Sequence, residues 1–212
     1  MENKNLLIVF VKNIRLGKVK TRLAQTIGNE NAFLIYKELV KITEQATNQL
    51  QNCTIQLFFS DVIIKTKWKS CEKFIQQGND LGEKMQHAFQ QGFASGHEKI
   101  ILIGSDLPDI SATIIQQGFD ALNNNDIVFG PAEDGGYYLV GMKKLHPTIF
   151  QNKPWSNEEL LSLTLKELSD YKLQLLSFLN DIDVYEDLKK HPSLLQLIEK
   201  PETSNFEFQT LN

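Results

Sequence analysis

Cysteine is scarce in this chain. Cys53 and Cys71 are the only two in 212 residues, and their spacing matches neither a metal site nor a redox pair, so a disulfide scaffold and a zinc ribbon are excluded. Long apolar runs are missing too: the longest, such as 6–11, have strand length, far short of the roughly 20 residues needed to cross a bilayer. No membrane segment is expected. Nor does a charged start with a long apolar stretch open the chain, which makes a secretory signal unexpected and the cytoplasm the expected compartment. His87, His97, His146 and His191 show no ligand spacing, and no Gly-x-Ser-x-Gly elbow occurs, so zinc chemistry and serine hydrolysis lack support.

Carboxylates are absent between Glu2 and Glu30, although the protein carries a formal net charge of -4. Into that gap fall Lys12, Arg15, Lys18, Lys20 and Arg22, directly after the apolar run Leu6-Leu7-Ile8-Val9-Phe10-Val11. A local cationic cluster on an acidic protein suits a small polyphosphate better than a nucleic-acid backbone, which needs a broad basic face. The stretch Gly17-Lys18-Val19-Lys20-Thr21 is not a Walker A loop, because Lys12 stands where that motif needs glycine and Val19 follows Lys18.

With 42% apolar and 23% charged residues, the chain suits one domain over residues 1–200, followed by a C-terminal tail at 201–212. Strand-like runs at 6–11, 54–59, 99–104, 126–130, 137–142 and 173–179 alternate mostly with helix-patterned stretches, which predicts an α/β sheet. Ala32, Ile35, Tyr36, Leu39, Ile42, Ala46 and Leu50 form one helical stripe, and Leu81, Met85, Ala88, Phe89, Gly92 and Phe93 a second. Ser111 is expected to cap a helix reaching Leu122, and Ser156 with Glu159 a helix reaching about Leu168. The short step from 127–129 to 137–140 leaves no room for a crossover helix, so the sheet should be mixed.

Three strand ends carry candidate chemistry. Asp106 follows the run 100–103 beside the basic loop, where a carboxylate can hold a divalent cation that bridges phosphates. Asp181 and Asp183 follow the run ending at Leu179; Asp183 can also cap a helix, with Glu186 at its third position. In Gly130-Pro-Ala-Glu-Asp134-Gly135-Gly136-Tyr137-Tyr138 the glycines would permit close backbone approach to an acceptor, with Tyr137 available to a sugar or base.

Together, Gly17-Lys-Val-Lys-Thr-Arg-Leu23, Gln77-Gly-Asn-Asp-Leu-Gly-Glu-Lys-Met85, Gly104-Ser-Asp-Leu-Pro108 and Gly130–Gly141 resemble the bacterial DUF2064 family. That family lies within the nucleotide-diphospho-sugar transferase (GT-A) superfamily and is similar to phospholactate and phosphoenolpyruvate guanylyltransferases. The resemblance implies a Rossmann-like three-layer α/β/α fold with a mixed, mostly parallel sheet. It implies nucleotide binding by Lys12, Gly17, Lys20, Arg22, Gly78 and Asp80, with Lys20, Arg22 and Asp106 catalytic. Asp106, Asp181 and Asp183 would hold Mg2+ or Mn2+, and Asp134, Gly135, Gly136 and Tyr137 the acceptor. Sugar-phosphate pyrophosphorylases carry glycine where Lys20 aligns, and relatives often have proline at the positions of Ile14 and Leu16.

The expected partners are a nucleoside triphosphate or nucleotide sugar and a small phosphorylated or sugar acceptor, with no nucleic acid and no membrane. The expected reaction is nucleotidyl transfer with release of pyrophosphate. Glycosyl transfer from a nucleotide sugar is the alternative within enzymes, and a non-catalytic nucleotide-binding module the alternative outside them.

Overall fold

The computed structural model describes residues 4–199 and consists of one seven-stranded sheet with helices on both faces. The proposed tail at 201–212 lies outside the described residues. The strands are β1 (Asn5–Val11), β2 (Thr54–Phe59), β3 (Glu72–Ile75), β4 (Lys99–Ile103), β5 (Ile127–Pro131), β6 (Tyr137–Met142) and β7 (Leu173–Leu175). Across the sheet their order is β3-β2-β1-β4-β6-β5-β7. Only β6 runs against its neighbours, β4 and β5. The sheet is therefore mixed and mostly parallel, and the carboxyl ends of the six other strands share one edge. Every candidate site segment leaves or enters the sheet there.

Alternation along β1 explains the layering. Leu7, Val9 and Val11 face one side, packing in a core with Tyr36 and Val40 of α2 (Asn29–Asn48) and Ile115 and Phe119 of α4 (Ala112–Ala121). Leu6, Ile8 and Phe10 face the other, in a core with Met85 and Phe89 of α3 (Leu81–Ala94) and Leu161 of α5 (Leu160–Glu167). Burying such side chains contributes about 1.5–3 kcal/mol each. A third cluster joins Leu23 of α1 (Thr21–Ile27) to Ile35 and Leu39 of α2, Ile182, Leu188 of α6 (Tyr185–Lys189) and Leu194 of α7 (Pro192–Glu199). None of the described helices is long and apolar enough to cross a membrane.

Several local expectations needed correction. The short strand β3 was missed because Glu72-Lys73-Phe74-Ile75 is half polar and only partly buried, as an edge strand can be. Regular strand structure in the run 173–179 stops at Leu175, although pairing continues irregularly through Leu176 to an isolated bridge between Ala132 and Leu179. Ser156 does not cap a helix. It takes a left-handed conformation (φ 65°), and the Asn157 side chain accepts from the Glu159 amide at 2.8 Å, so a local turn displaces the capping box and α5 starts only at Leu160. Asp183 likewise does not cap α6: the cap falls on Val184, and Asp187 accepts the amides of Asp183 and Val184 at 3.2 and 3.1 Å. Ser111 caps α4 as expected, accepting from Ile114.

Candidate active site

The basic loop is held from beneath by two residues that carry no charge. Asn13, almost fully buried, accepts the amides of Asp61 and Val62 and donates to the Val62 carbonyl at 2.7 Å, which locks the exit of β1 to that of β2. Tyr36 donates its hydroxyl to the Lys12 carbonyl at 3.1 Å and lies 3.2 Å from the Ser105 hydroxyl, joining the loops after β1 and β4. Burial pushes the Tyr36 phenol up to about 12, so it remains a neutral donor. Neither residue belongs to a sequence motif for chemistry; the helical stripe placed Tyr36 in the core but said nothing of its hydroxyl.

Above this support the chain makes a turn, with the Lys18 amide bonded to the Arg15 carbonyl and Gly17 at φ 73°, a conformation that costs glycine little. Lys20 then adopts φ 45° and ψ 50° as the residue preceding α1. For a lysine this is a sparsely populated backbone state, and it sends the side chain inward. The Lys20 ammonium lies 3.0 Å from Asp106 and 3.3 Å from Asp181, with its side chain only 5% exposed. Burial alone would lower its pKa, but Asp106, Asp181 and Asp183 outweigh that effect and hold it above the ordinary lysine value. Burial raises Asp181 above the ordinary carboxylate value, with Lys20 opposing it.

Two residues further on, Arg22 reaches Asp183 at 2.9 Å. The spacing is set by Ile182, which is fully buried in the third cluster and leaves Asp181 and Asp183 on its two sides, one for each cation. Asp187 fixes that segment through its two backbone amides and through Asn180 at 3.1 Å; despite burial, these bonds hold it below the usual carboxylate value.

Asp106 and Asp181 thus converge on a single point of positive charge, while Asp183 is turned to Arg22. Among the described residues no group of three His, Cys, Asp or Glu side chains converges as a complete metal cage. Two carboxylates are nonetheless a donor set that fits Mg2+ or Mn2+, ions that take one or two protein carboxylates and fill the remaining positions with water and substrate phosphates. The remaining loop cations divide. Arg15 pairs with Asp61 across the loop, whereas Lys12 and Lys18 are exposed and form no ion pair among the described residues.

The other candidates lie at the same edge in different roles. Asp80 caps α3 by accepting from the Glu83 amide at 2.8 Å, and Gly78 sits in the preceding turn; both are exposed. Asp134 accepts from the Gly136 amide at 2.9 Å, and Gly135 packs against the Glu158 backbone, so the two glycines shape a tight turn. Tyr137 is half-buried at the start of β6. The ring meets Phe129 edge-on, and the hydroxyl is buried without a hydrogen-bond partner among the described residues. A buried, unpaired hydroxyl costs about 1–3 kcal/mol. Tyr137→Phe is therefore expected to leave stability unchanged or raise it by up to about 1 kcal/mol, with ligand binding intact; a loss of stability on denaturation would show that the hydroxyl has a partner.

Next to this array is a cleft of about 600 Å3, bounded by Arg22, Asp134, Asp183 and the segment 156–159. Sequence motifs point to Arg22, Asp134 and Asp183, whereas the pattern at 156–159 signals only a helix start. It reaches the site because the turn at Gly135 holds it there.

Residues 42–157, more than half of the chain, match DUF2064, the family described as "Uncharacterized protein conserved in bacteria". The chain belongs to the DUF2064 family. The basic loop precedes the matched region and Asp181 follows it. Among solved structures, this DUF2064 protein is similar to a provisionally assigned nucleotide-diphospho-sugar transferase from Desulfovibrio desulfuricans G20. The identity is 28% and the TM-score 0.81, covering 92% of this chain and 98% of the other. The fold also matches 4-diphosphocytidyl-2C-methyl-D-erythritol synthase from Anaerococcus prevotii DSM 20548 at 12% identity and TM-score 0.57, covering 91% and 99%. A cytidylyltransferase from Leptospira borgpetersenii matches at 13% identity and TM-score 0.53, covering 92% and 94%. No curated protein matches the DUF2064 sequence. The fold is that of the nucleotide-diphospho-sugar transferases.

Proposed function

We propose that this protein is a transferase acting on the phosphates of a nucleotide, with nucleotidyl transfer from a nucleoside triphosphate as the leading reaction. The observation that carries this reading is the convergence of Asp106 and Asp181 on Lys20 at the carboxyl edge of the sheet, where open α/β folds bind their ligands. Support for the class comes from the resemblance to the Desulfovibrio transferase.

In this reading Lys12 and Lys18 neutralise the outer phosphates, Arg22 joins them by exchanging its Asp183 partner for a phosphate oxygen, and Lys20 adds a fixed charge near the carboxylates. Asp106 and Asp181 are the residues that would hold Mg2+ or Mn2+, which when bound supplies further neutralisation of the phosphate oxygens. An acceptor oxygen bonds to the α-phosphorus in line, and the bond to the bridging oxygen breaks. Pyrophosphate leaves with the electron pair. Little covalent chemistry is asked of the protein, and fixed charge is its main contribution.

One observation favours a second reading. Arg15 and Arg22 each have a carboxylate partner, so the loop presents fewer unpaired cations than the sequence suggested. A diphosphate needs fewer, which makes glycosyl transfer from a nucleotide sugar the runner-up.

Asp106→Asn separates binding from turnover. The variant should keep its fold and lose metal-dependent turnover by at least about tenfold, a barrier change of roughly 1.4 kcal/mol. Product analysis on the wild type distinguishes the reactions: pyrophosphate from a triphosphate supports the first, and nucleoside diphosphate from a nucleotide sugar the second. Unchanged metal dependence in folded Asp106→Asn would remove Asp106 from the metal site.

A further inference from the structure

We infer that Lys20 makes the Asp106–Asp181 pair select a divalent cation that arrives with nucleotide phosphates over the free ion, an inference that rests on the transferase reading of this site. Lys20 is then a residue that decides specificity, besides one that contributes charge.

The carboxylate pair has a countercharge of its own. The Lys20 ammonium lies 3.0 Å from Asp106 Oδ2 and 3.3 Å from Asp181 Oδ2, on a side chain only 5% exposed. Asp183 is turned to Arg22, so a free ion would find two carboxylates and not three. Together Asp106, Asp181 and Lys20 carry a single net negative charge. A free divalent ion drawn to these oxygens would meet the ammonium at close range, where little water intervenes to screen the repulsion. It would also reverse the sign of the net charge in a partly desolvated place, which is costly without further anions. Lys20 thus opposes the ion by itself.

Phosphates reverse both effects. An ammonium has three N–H donors, and Lys20 uses two on the carboxylates. The third has no partner among the described residues, although the side chain is buried. A buried donor left unpaired is costly, and an anionic oxygen is the acceptor that binds a charged donor most strongly. A nucleotide that brings its own cation supplies that acceptor, and its negative charge lets ammonium and cation share one site. The backbone points the same way. Lys20 holds φ 45° and ψ 50°, a state that glycine adopts freely and lysine rarely. A lysine kept in such a state is a sign that the site uses its side chain.

The same backbone supplies the test variant. Lys20→Gly removes the ammonium and suits the left-handed position, and Lys20→Met removes it while keeping an apolar stem. Mn2+ alone, titrated calorimetrically at about pH 7.5, should bind both variants at least about tenfold more tightly than wild type. Mn2+ should also raise the urea midpoint of the variants and leave that of wild type unchanged, an effect that a merely structural lysine would not produce. Adding Asp106→Asn to Lys20→Gly should abolish the gain and so place it at this pair. Equal Mn2+ affinity in wild type and folded Lys20→Gly, or a gain that survives Asp106→Asn, would overturn the inference. So would wild-type protein that binds Mn2+ alone as tightly as it does with nucleotide present, a result that needs no variant. Nucleotide titrated into wild type with Mn2+ keeps the two readings apart. No nucleotide binding would remove the transferase reading and this inference with it, whereas nucleotide binding without a gain in the variants would remove the inference alone.

Discussion

Lys20→Met should lower stability by about 1–3 kcal/mol at neutral pH and abolish nucleotide binding. The ammonium it removes is buried and lies within 3.3 Å of two carboxylates. Removing one partner of a fully buried ion pair costs about 3–5 kcal/mol, and the partial exposure of Asp106 and Asp181 reduces that figure. Left without a counter-charge, the two carboxylates repel each other across a partly desolvated gap. The loss should therefore depend on pH. Burial already raises the Asp181 pKa above its unfolded value, and removal of Lys20 raises it further, because Lys20 is what opposes that shift. A carboxyl with a raised folded pKa binds its proton more tightly when folded, so its penalty is absent below the unfolded pKa and grows as pH rises through the folded one. Urea denaturation should show a larger deficit at pH 7.5 than at pH 4.5. A deficit that is equal at both, or absent, would mean that the three groups are not coupled as described.

Gly135→Ala should cost about 2–4 kcal/mol, more than glycine substitutions usually do. A Cβ at this position would lie 1.9 Å from the Glu158 carbonyl oxygen, and the backbone is left-handed at φ 86°. Neither problem has a flexible solution, because the obstacle is backbone. Gly136→Ala is the internal control. Its added Cβ would approach only the Asp134 carboxylate, at 3.1 Å, so the effect should stay within about 1 kcal/mol. Equal losses at the two positions would show that the turn and the segment 156–159 are not in contact, and the cleft wall would need to be redrawn.

These residues also show what a sequence can reveal. Asp106 was legible because a carboxylate at the tip of an apolar strand, opposite a cationic loop, has few other uses. Asp181 and Asp183 were legible only together: that Asp181 meets Lys20 while Asp183 meets Arg22 depends on how Ile182 is buried, a tertiary fact. Periodicity gave six of the strands and the main helices, whereas the polar edge strand β3 had no apolar pattern to find. The Gly-Gly pair marks a place where the backbone can be approached closely, but local pattern does not say by what. What lies against Gly135 is the Glu158 backbone, distant in the chain and unreadable from local pattern. The same distance kept Glu158 and Glu159 out of the predicted site. The spacing of Ser156 and Glu159 suggests a capped helix, whereas the Asn157 turn holds Glu158 and Glu159 outside it at the cleft.

The central claim is that the edge carrying Lys20, Asp106 and Asp181 binds nucleotide phosphates together with a divalent cation. Calorimetric titration of the wild-type protein with nucleoside tri- and diphosphates, each with and without Mg2+, tests it most directly. The account predicts that at least one nucleotide binds and that Mg2+ tightens it by tenfold or more, about 1.4 kcal/mol. No binding by any nucleotide, or binding that Mg2+ leaves unchanged, would contradict it.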